Sequence, residues 1–327
     1  MLLNTGMTPD VEDAANILRR GGLVAFPTET VYGLGADAEN SEAVARIFAA
    51  KGRPSNHPVI VHIGHAGLLE RWATDIPPSA LRLAQHFWPG PLTLILKRST
   101  RVPDAVTGGQ ETVGLRMPDH PVALALLAAF GGGLAAPSAN RFGRLSPTTA
   151  EHVRAELGAS VDYVVDGGPC RVGIESTVLD LSGVHPRQLR PGAITAAEIE
   201  AVLGEPLAAP SGEAPRSPGM LHSHYAPQTA LMLVAPNDLQ GKIKQCLENG
   251  ERVAVLARSA APTLTNCIWQ IMPDDPGAYA HELYARLREL DALQVDRLLV
   301  EAPPRETAWL AVCDRLERAA QAGLDTQ

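Results

Sequence analysis

The chain has 327 residues, long enough for two domains, and its 45% hydrophobic and 20% charged residues are an ordinary globular balance. The net charge is −8, and residues 1–204 carry 17 Lys and Arg against 20 Asp and Glu, so a broad polyanion-binding surface is not expected. No secretory signal pattern opens the chain, and its longest apolar stretch, residues 122–130, is about half a membrane span. The four cysteines form no CxxC pair, and together these features predict a soluble, cytoplasmic protein without membrane contact.

Short strands and helices alternate from residue 10 to residue 181. Helical periodicity is found at 10–20, 41–50, 121–130 and 148–157, with Asp10 and Ser41 as candidate N-caps of the first two helices. Buried-strand patterns are found at 23–26, 58–63, 92–97, 112–116, 163–166 and 176–181. This alternation predicts an α/β domain with a mixed sheet over residues 1–204.

A second alternating region follows a proline-rich segment. Residues 205–228 contain five prolines, which predicts a stiff, partly extended linker. Strands are then predicted at 230–234, 252–257, 267–272 and 297–301, and helices at 239–248, 278–290 and 308–320. Residues 229–327 are therefore predicted to form a small, parallel, doubly wound domain.

Two short strings are candidates for anion binding. Lys51-Gly52-Arg53-Pro54 ends the second predicted helix, and Ser138-Ala139-Asn140 lies at the edge of an apolar run. Lys supplies a compact charge and Arg a planar fork, while the second string adds a hydroxyl and an amide. Together they could hold a nucleotide triphosphate. The competing interpretation is that the two cations only complement the dipole at the end of their helix.

Residues 28–35, TETVYGLG, follow the first predicted strand. Gly33, Gly35 and Ala38 fit a loose G-x-G-x-x-A dinucleotide pattern, but they stand well past the strand end and no acidic strand tip follows at the required spacing. The alternative is a glycine turn in which Thr28 and Thr30 satisfy backbone groups.

Arg116 ends an apolar strand and needs an anionic partner. Glu29, Asp119 and Glu175 are internal candidates, and a ligand carboxylate is the external one. His62 and His65 are not accompanied by an acidic or cysteine cluster, so no metal site is predicted. Four small polar residues are each typical of turns or helix caps, so a functional role for them depends on the whole set: Ser138, Asn140, Ser146 and Ser176.

Taken together, these strings resemble the YrdC-like family in its long two-domain form, the threonylcarbamoyl-AMP synthases. The matching stretches are PTETVYGLGADA (27–38), KGRPSNHPVIVHI (51–63), FWPGPLTLIL (87–96), ETVGLRMPDHP (111–121), APSANRFGRLSPTTA (136–150), GIESTVLDL (173–181), RQLRPG (187–192) and SPGMLHSHYAP (217–227). The resemblance implies a twisted mixed-sheet YrdC-like domain followed by a small Rossmann-like α/β domain.

The resemblance also implies a reaction in which L-threonine, bicarbonate and ATP give threonylcarbamoyl-AMP and pyrophosphate. The product serves threonylcarbamoyl modification of adenosine in tRNA, so tRNA and the tRNA-threonylcarbamoyltransferase proteins are possible partners. The family uses Mg²⁺, and we expect the ATP phosphates and water to hold most of its coordination sphere.

Specific roles follow from the matching positions. The resemblance implies catalytic contacts to the nucleotide and its reacting phosphate from Lys51, Arg53, Ser138 and Asn140. It implies further ATP contacts from His57, Thr112, Ser146, Arg190 and Tyr225. It also implies a threonine pocket formed by Thr30, His62, Arg116, Ala136 and Ser176. His57 stands where the family commonly has Asn, which introduces a titratable group. Tyr225 and the proline-rich segment would act as a lid that excludes water from a labile carbamate.

Two alternatives come from related domains. A double-stranded RNA or tRNA-binding module without turnover would use a basic concave surface, and it would leave the threonine-pocket residues unexplained. A carbamoyl-phosphate-dependent transferase of the hydrogenase-maturation type would carry acylphosphatase and zinc-finger regions, and this chain has no CxxC pairs.

Overall fold

The computed structural model describes residues 8–209, 214–219, 224–261 and 267–322, which divide into two compact units. The first unit contains residues 8–141, 147–171 and 175–219, and the second contains 142–146, 172–174 and the described residues from 224 onward. Two short segments of the predicted first domain thus belong to the second unit. Residues 210–213 and 220–223 of the predicted linker lie outside the described residues.

The described part of the first unit is a mixed sheet with helices packed against it. Its strands are β1 (Val24–Phe26), β2 (Gly33–Asp37), β3 (Ile60–His62), β4 (Leu92–Lys97), β5 (Thr112–Arg116), β6 (Leu134–Ala135), β7 (Tyr163–Val164), β8 (Thr177–Asp180) and β9 (Arg187–Arg190), arranged in the order β7-β1-β2-β6-β3-β5-β4-β8-β9. Its helices are α1 (Thr8–Arg19), α2 (Ser41–Lys51), α3 (Leu69–Trp72), α4 (Pro78–Phe87), α5 (Asp104–Thr107), α6 (Pro121–Phe130), α7 (Ala150–Leu157) and α8 (Ala196–Leu203).

The two faces of this sheet have different surroundings because side chains alternate along each strand. One face carries Val61, Leu94 and Leu115 into the main apolar core. On the opposite face, α1 and α6 cover the β1–β2–β6 side, where they pack with Phe26 and Leu134. Toward β3, β5, β4, β8 and β9 this second face carries polar side chains. We call that region the polar face.

Most predicted elements are confirmed, and the differences have local causes. Strands β4 and β5 and helix α6 have the predicted bounds. Helix α2 is capped by Asn40, one residue earlier than predicted, because its side chain accepts hydrogen bonds from Glu42 N and Ala43 N. Helix α1 starts at Thr8, so Asp10 lies inside it.

The glycine-rich segment after β1 forms strand β2, and both sequence-based interpretations of its glycines were wrong. Gly33 pairs with Phe26 and Gly35 with Val24 in antiparallel register. A Cβ atom added at Gly35 would lie 2.8 Å from a ring carbon of Phe26, so the aromatic ring requires glycine there. The expectation is confirmed for Thr28, because its Oγ1 accepts hydrogen bonds from Thr30 N and Val31 N, both at 3.2 Å. The Thr30 hydroxyl instead pairs with that of Thr28.

The second unit contains a parallel sheet with both faces covered, as predicted for a doubly wound domain. Its strands are β10 (Leu231–Val234), β11 (Val253–Ala257), β12 (Ile268–Ile271) and β13 (Arg297–Glu301), in the order β10-β13-β11-β12 within the described residues. Its helices are α9 (Leu239–Glu248), α10 (Pro276–Asp291) and α11 (Leu310–Ala322). Helix α9 packs on the face that carries Val253 and Val255, and the alternating Ala254 and Leu256 are also fully buried.

Among the described residues, no helix combines the length and the apolar character needed to cross a bilayer.

Candidate active site

Strand register brings four polar residues together on the polar face. His62 pairs with Arg116 across β3 and β5. Thr93 lies across from Arg116, because Leu94 pairs with Leu115 in the neighbouring antiparallel strand. Val178 then pairs with both Thr93 and Arg190. The sheet therefore carries a row of polar side chains that is positioned by backbone pairing.

Lys51 connects the two sequence strings that are candidates for anion binding, residues 51–54 and 138–140. Its Nζ donates to the carbonyl oxygens of Ser138 and Asn140, both at 2.5 Å. The side chain is 3% exposed. Burial, assisted by the positive charge of Arg53, holds the pKa of Lys51 well below its ordinary range. An anionic ligand at this point would restore the charged form.

Arg53 and His57 lie between α2 and β3. Arg53 Nη2 donates to the carbonyl oxygen of Pro58 at 2.7 Å, and its guanidinium lies 5.9 Å from the centre of the Phe48 ring. Partial burial lowers the pKa of His57, and the charges of Arg53 and Arg216 lower it further. Arg216 was not selected from the sequence, because nothing in the linker composition marked it.

Arg116 has an internal partner, and it is Glu29. The Nη2 atom of Arg116 lies 2.7 Å from Oε2 of Glu29, and both side chains are almost fully buried. The separation is that of an ion pair, but the N–H bonds do not point along it, so neither atom gains a hydrogen bond from the other. Arg116 Nε donates to the carbonyl oxygen of Gly90 at 3.3 Å.

His62 is a neutral residue in this arrangement. It is 3% exposed, and its ring meets Phe26 edge to face with 6.0 Å between ring centres. Burial, with the adjacent Arg116 charge, lowers the pKa of His62 to about 3. Its Nδ1 atom is buried and has no hydrogen-bond partner among the described residues.

Ser176 connects the predicted threonine pocket with the predicted nucleotide site. Its Oγ lies 2.8 Å from the Thr93 hydroxyl. Arg190 Nη2 donates a hydrogen bond to Ser176 Oγ at 3.1 Å. Arg190 Nε donates to the carbonyl oxygen of Ser176 at 3.0 Å. Thr93 was not selected from the sequence, because a threonine inside an apolar strand gives no functional signal.

The remaining first-unit candidates lie at or near the ends of strands in the same sheet. Thr30 is fully buried, and its hydroxyl lies 2.8 Å from that of Thr28. Ala136 donates its backbone N–H to the carbonyl oxygen of Ile60 at 2.9 Å, beside β3. Thr112 begins β5, so it lies about 13 Å along the strand from Arg116 at about 3.3 Å per residue. It is at the opposite end of β5 from the threonine-pocket candidates.

Part of the predicted lid contacts the polar face directly. Arg216 N donates to the side-chain oxygen of Gln110 at 2.7 Å, and Gln110 Nε2 donates back to the Arg216 carbonyl at 3.0 Å. Arg190 Nη1 donates to the carbonyl oxygen of Pro218 at 3.0 Å. Ala214 packs against the small apolar cluster of Ile95, Val178 and Leu189. Residues 214–219 therefore cover the β4–β5–β8–β9 part of the polar face.

Two of the ATP candidates belong to the second unit. Ser146 is fully buried. Tyr225 has a backbone φ of +61°, and its ring stacks on Tyr284 with 6.0 Å between ring centres. The Arg315 guanidinium lies 5.2 Å from the Tyr225 ring centre. The contacts of Ser146 and Tyr225 with ATP stay predictions.

Metal ligands are not clustered in the part of the chain that the structure describes. No group of three or more His, Cys, Asp or Glu side chains there could hold a metal ion. The cationic side chains around Lys51 favour an anion over a bare cation.

Comparisons with protein-family models match almost the whole chain. A model of the Sua5/YciO/YrdC family, described as "Telomere recombination", matches residues 16–192. A second model, described as "Threonylcarbamoyl-AMP synthase, C-terminal domain", matches residues 194–321.

Known proteins are similar over nearly the same extent. The threonylcarbamoyl-AMP synthase of Bacillus subtilis is 44% identical, with 95% of this chain and 93% of the relative covered. The enzyme of that name from Pyrococcus abyssi is 43% identical, with 94% and 92% covered. A crystal structure of Pyrococcus abyssi Sua5 complexed with L-threonine superposes with a TM-score of 0.90, at 40% identity and with 96% of this chain and 94% of that chain covered.

Proposed function

This chain belongs to the Sua5/YciO/YrdC family, and on that premise we propose that its polar face joins L-threonine, bicarbonate and ATP into threonylcarbamoyl-AMP and pyrophosphate. It is a threonylcarbamoyl-AMP synthase, like its full-length relatives. The observation that carries the site proposal is the bonding of buried Lys51 to the carbonyl oxygens of Ser138 and Asn140, which brings two sequence-distant motifs together.

The chemistry needs positive charge near the reacting phosphate. Threonine's neutral amine captures the CO₂ that bicarbonate supplies to form a carbamate, and the amine proton leaves with the hydroxide of bicarbonate as water. A carbamate oxygen then attacks the α-phosphorus of ATP. The new P–O bond forms as the bond to the leaving phosphate breaks, and pyrophosphate carries that electron pair away. Lys51 and Arg53 would stabilise the charge of the transferring group, and Ser138 and Asn140 would position it. Positioning supplies most of the acceleration in this scheme.

The nucleotide would extend along β3 and β5. His57 precedes β3 and Thr112 begins β5, so both lie at the ends of these strands that are remote from His62 and Arg116. Arg190 would approach the phosphates from β9, and Ser146 and Tyr225 are proposed as further ATP contacts. This layout leaves the carboxyl ends of β3 and β5 to the amino acid.

Threonine would occupy the region around His62 and Arg116. The Arg116 fork suits a carboxylate, and the small Ala136 side chain leaves space for a threonine methyl group. Thr30 and Ser176 would line the pocket with hydroxyl groups. The relative solved with L-threonine supports this assignment at the level of the substrate.

Mg²⁺ would enter the site as part of the Mg·ATP substrate. The described residues include no group of three side chains that could hold the ion. We expect phosphate and water oxygens to provide most of the ligands of this Mg²⁺ ion. The bound ion would neutralise part of the phosphate charge.

A lid would protect the carbamate from water. The contacts of residues 214–219 with Gln110 and Arg190 support a covering role for this segment. We propose Tyr225 as a further lid residue, so turnover should fall in Tyr225→Ala and after truncation at Gly204. If both changes left turnover unaltered, the lid proposal would be wrong.

The product would serve threonylcarbamoyl modification of adenosine in tRNA, with tRNA and threonylcarbamoyltransferase proteins as downstream partners. The direct test supplies ¹³C-bicarbonate, L-threonine and ATP and looks for ¹³C-labelled threonylcarbamoyl-AMP by mass spectrometry. An RNA-binding module would instead show salt-dependent RNA binding and no labelled product.

A further inference from the structure

Glu29 lies beside Arg116 in the region proposed for threonine, yet the reaction described so far gives it no role. Its side chain is 1% exposed. Neither of its carboxylate oxygens has a hydrogen-bond partner within the described residues, although Arg116 lies 2.7 Å away. The ion pair therefore balances the charge of Glu29 and leaves its hydrogen-bonding capacity unused.

Unused acceptors of this kind are costly in a folded protein. A buried polar group without a hydrogen bond has lost its hydrogen bonds to water without replacement, and the loss of stability is larger when the group is charged. Native structures contain few such groups, and each needs an explanation such as a ligand or a water molecule. Three occur together here: the Glu29 oxygens, Arg116 Nη2 and His62 Nδ1.

The turn that contains Glu29 is held in place by hydrogen bonds of the neighbouring Thr28. Thr28 Oγ1 accepts from Thr30 N and Val31 N and donates to the Val31 carbonyl oxygen at 2.6 Å. These bonds fix the backbone on both sides of Glu29. The carboxylate, which is paired with Arg116 but accepts no hydrogen bond within the described residues, is thus attached to an ordered turn.

The unpartnered atoms complement the polar groups of a 3-hydroxy-2-amino acid. A guanidinium and a carboxylate in contact match an α-carboxylate and an α-ammonium, which are attached to a single carbon atom. A neutral imidazole can donate or accept, so His62 Nδ1 suits a hydroxyl group. Backbone pairing of His62 with Arg116 keeps the third group close to the other two.

We propose that Glu29 binds the α-ammonium group of the incoming amino acid while Arg116 binds its carboxylate, so that the pair recognises the zwitterion. The bound ammonium then loses a proton to solvent and becomes the neutral amine that captures CO₂. This inference deepens the proposed function and rests on it. It makes Glu29 a substrate-binding residue that selects α-amino acids over hydroxy acids of the same shape. In the absence of substrate, Glu29 and Arg116 balance each other's charge.

Isothermal titration with two ligands tests the proposal. The ligands are L-threonine and 2,3-dihydroxybutyrate of matching configuration, in which a hydroxyl replaces the amine. Glu29→Gln should weaken L-threonine binding about 10- to 100-fold, which is the range for a lost hydrogen bond to a charged group. Its affinity for the dihydroxy acid should change by less than about 3-fold. Glu29→Asp, which keeps the charge on a shorter side chain, should retain part of the preference for the amine.

Asp180→Asn is the matched control, because Asp180 is also a buried carboxylate and bonds to the nearby Ser182. It should leave the preference for L-threonine unchanged, and thermal unfolding should show that each variant is folded. Equal losses for both ligands in Glu29→Gln, or no loss for either, would overturn the proposal. Failure of the wild type to bind L-threonine would instead reject the proposed function on which it rests.

Discussion

Lys51 Nζ lies 2.5 Å from the carbonyl oxygen of Ser138, which is 87 positions away in the sequence. A second bond of the same length, to Asn140, holds this amine against the loop that follows β6. A buried amine with a lowered pKa is poised to regain its charge when a polyanion binds. The same contacts also fix the backbone from which Ser138 and Asn140 project.

Lys51→Ala should reduce kcat/KM for ATP by about 10²- to 10³-fold, which is the usual cost of removing one group that stabilises charge in the transition state. Lys51→Arg should lose less, because it keeps a cation at this point. Steady-state pyrophosphate release measures the effect, and Lys97→Ala, at an exposed lysine paired with Asp75, is the control. A folded Lys51→Ala variant with wild-type kcat/KM would remove Lys51 from the site.

ATP binding should become more favourable at lower pH through His57. Burial and the charges of Arg53 and Arg216 keep the pKa of His57 below its ordinary value, and a bound triphosphate would raise it again. Lowering the pH from about 8 to about 6 protonates His57 more readily in the ATP complex than in the free enzyme. The ratio of the ATP KM of His57→Asn to that of the wild type should therefore rise as the pH falls. A ratio that is independent of pH would exclude His57 from ATP binding.

His62 should make the fold sensitive to acid. Well above pH 6.5 the imidazole is neutral in both the folded and the unfolded state and contributes no pH dependence. Between pH 6.5 and about 3 the unfolded chain takes up a proton that the folded protein excludes, so the free energy of unfolding falls as the pH falls.

Uptake of this single proton lowers the free energy of unfolding by up to about 1.4 kcal/mol for each pH unit. In denaturant titrations, His62→Gln should show a shallower decline in the free energy of unfolding below pH 6.5. His65→Gln, at an exposed histidine three residues further on, controls for the loss of an imidazole. Equal slopes in the wild type and His62→Gln would show that His62 does not exclude the proton.

Gln110→Ala should loosen the cover over the polar face. It removes both hydrogen bonds to Arg216 in the segment 214–219, and water should then reach the α-phosphorus of ATP and the threonylcarbamoyl-AMP product more often. The expected result is more ATP consumed per molecule of threonylcarbamoyl-AMP formed. Gln85→Ala, on the exposed side of α4, is the matched control. An unchanged ratio would mean that this contact does not control access of water.

Strong apolar patterns predicted the fold wherever the chain is regular. Strand β4 is bounded by Pro91 and a charged residue, and α6 by His120 and a run of glycines. The ends of both elements could therefore be predicted from the sequence. Strand β2 was missed because its glycines suggest a turn, and only the Phe26 ring explains their place in a strand. That reason is a contact between strands, which one-dimensional periodicity does not contain.

The candidate site was predictable in its residue types more than in its pairings. The sequence offered three carboxylates as partners for Arg116, and only the folded chain selects Glu29. Thr93 and Arg216 were missed because a lone threonine in an apolar strand and an arginine in a linker are common without function. The resemblance to a family supplied roles that spacing alone could not assign.

The most direct test of one shared site is pyrophosphate release from ATP, measured with L-threonine and bicarbonate each omitted in turn. The proposed reaction predicts that either omission abolishes release, because the carbamate that attacks the α-phosphorus cannot form. Release that persists at the full rate without threonine or without bicarbonate would contradict this reaction and point to another adenylating activity.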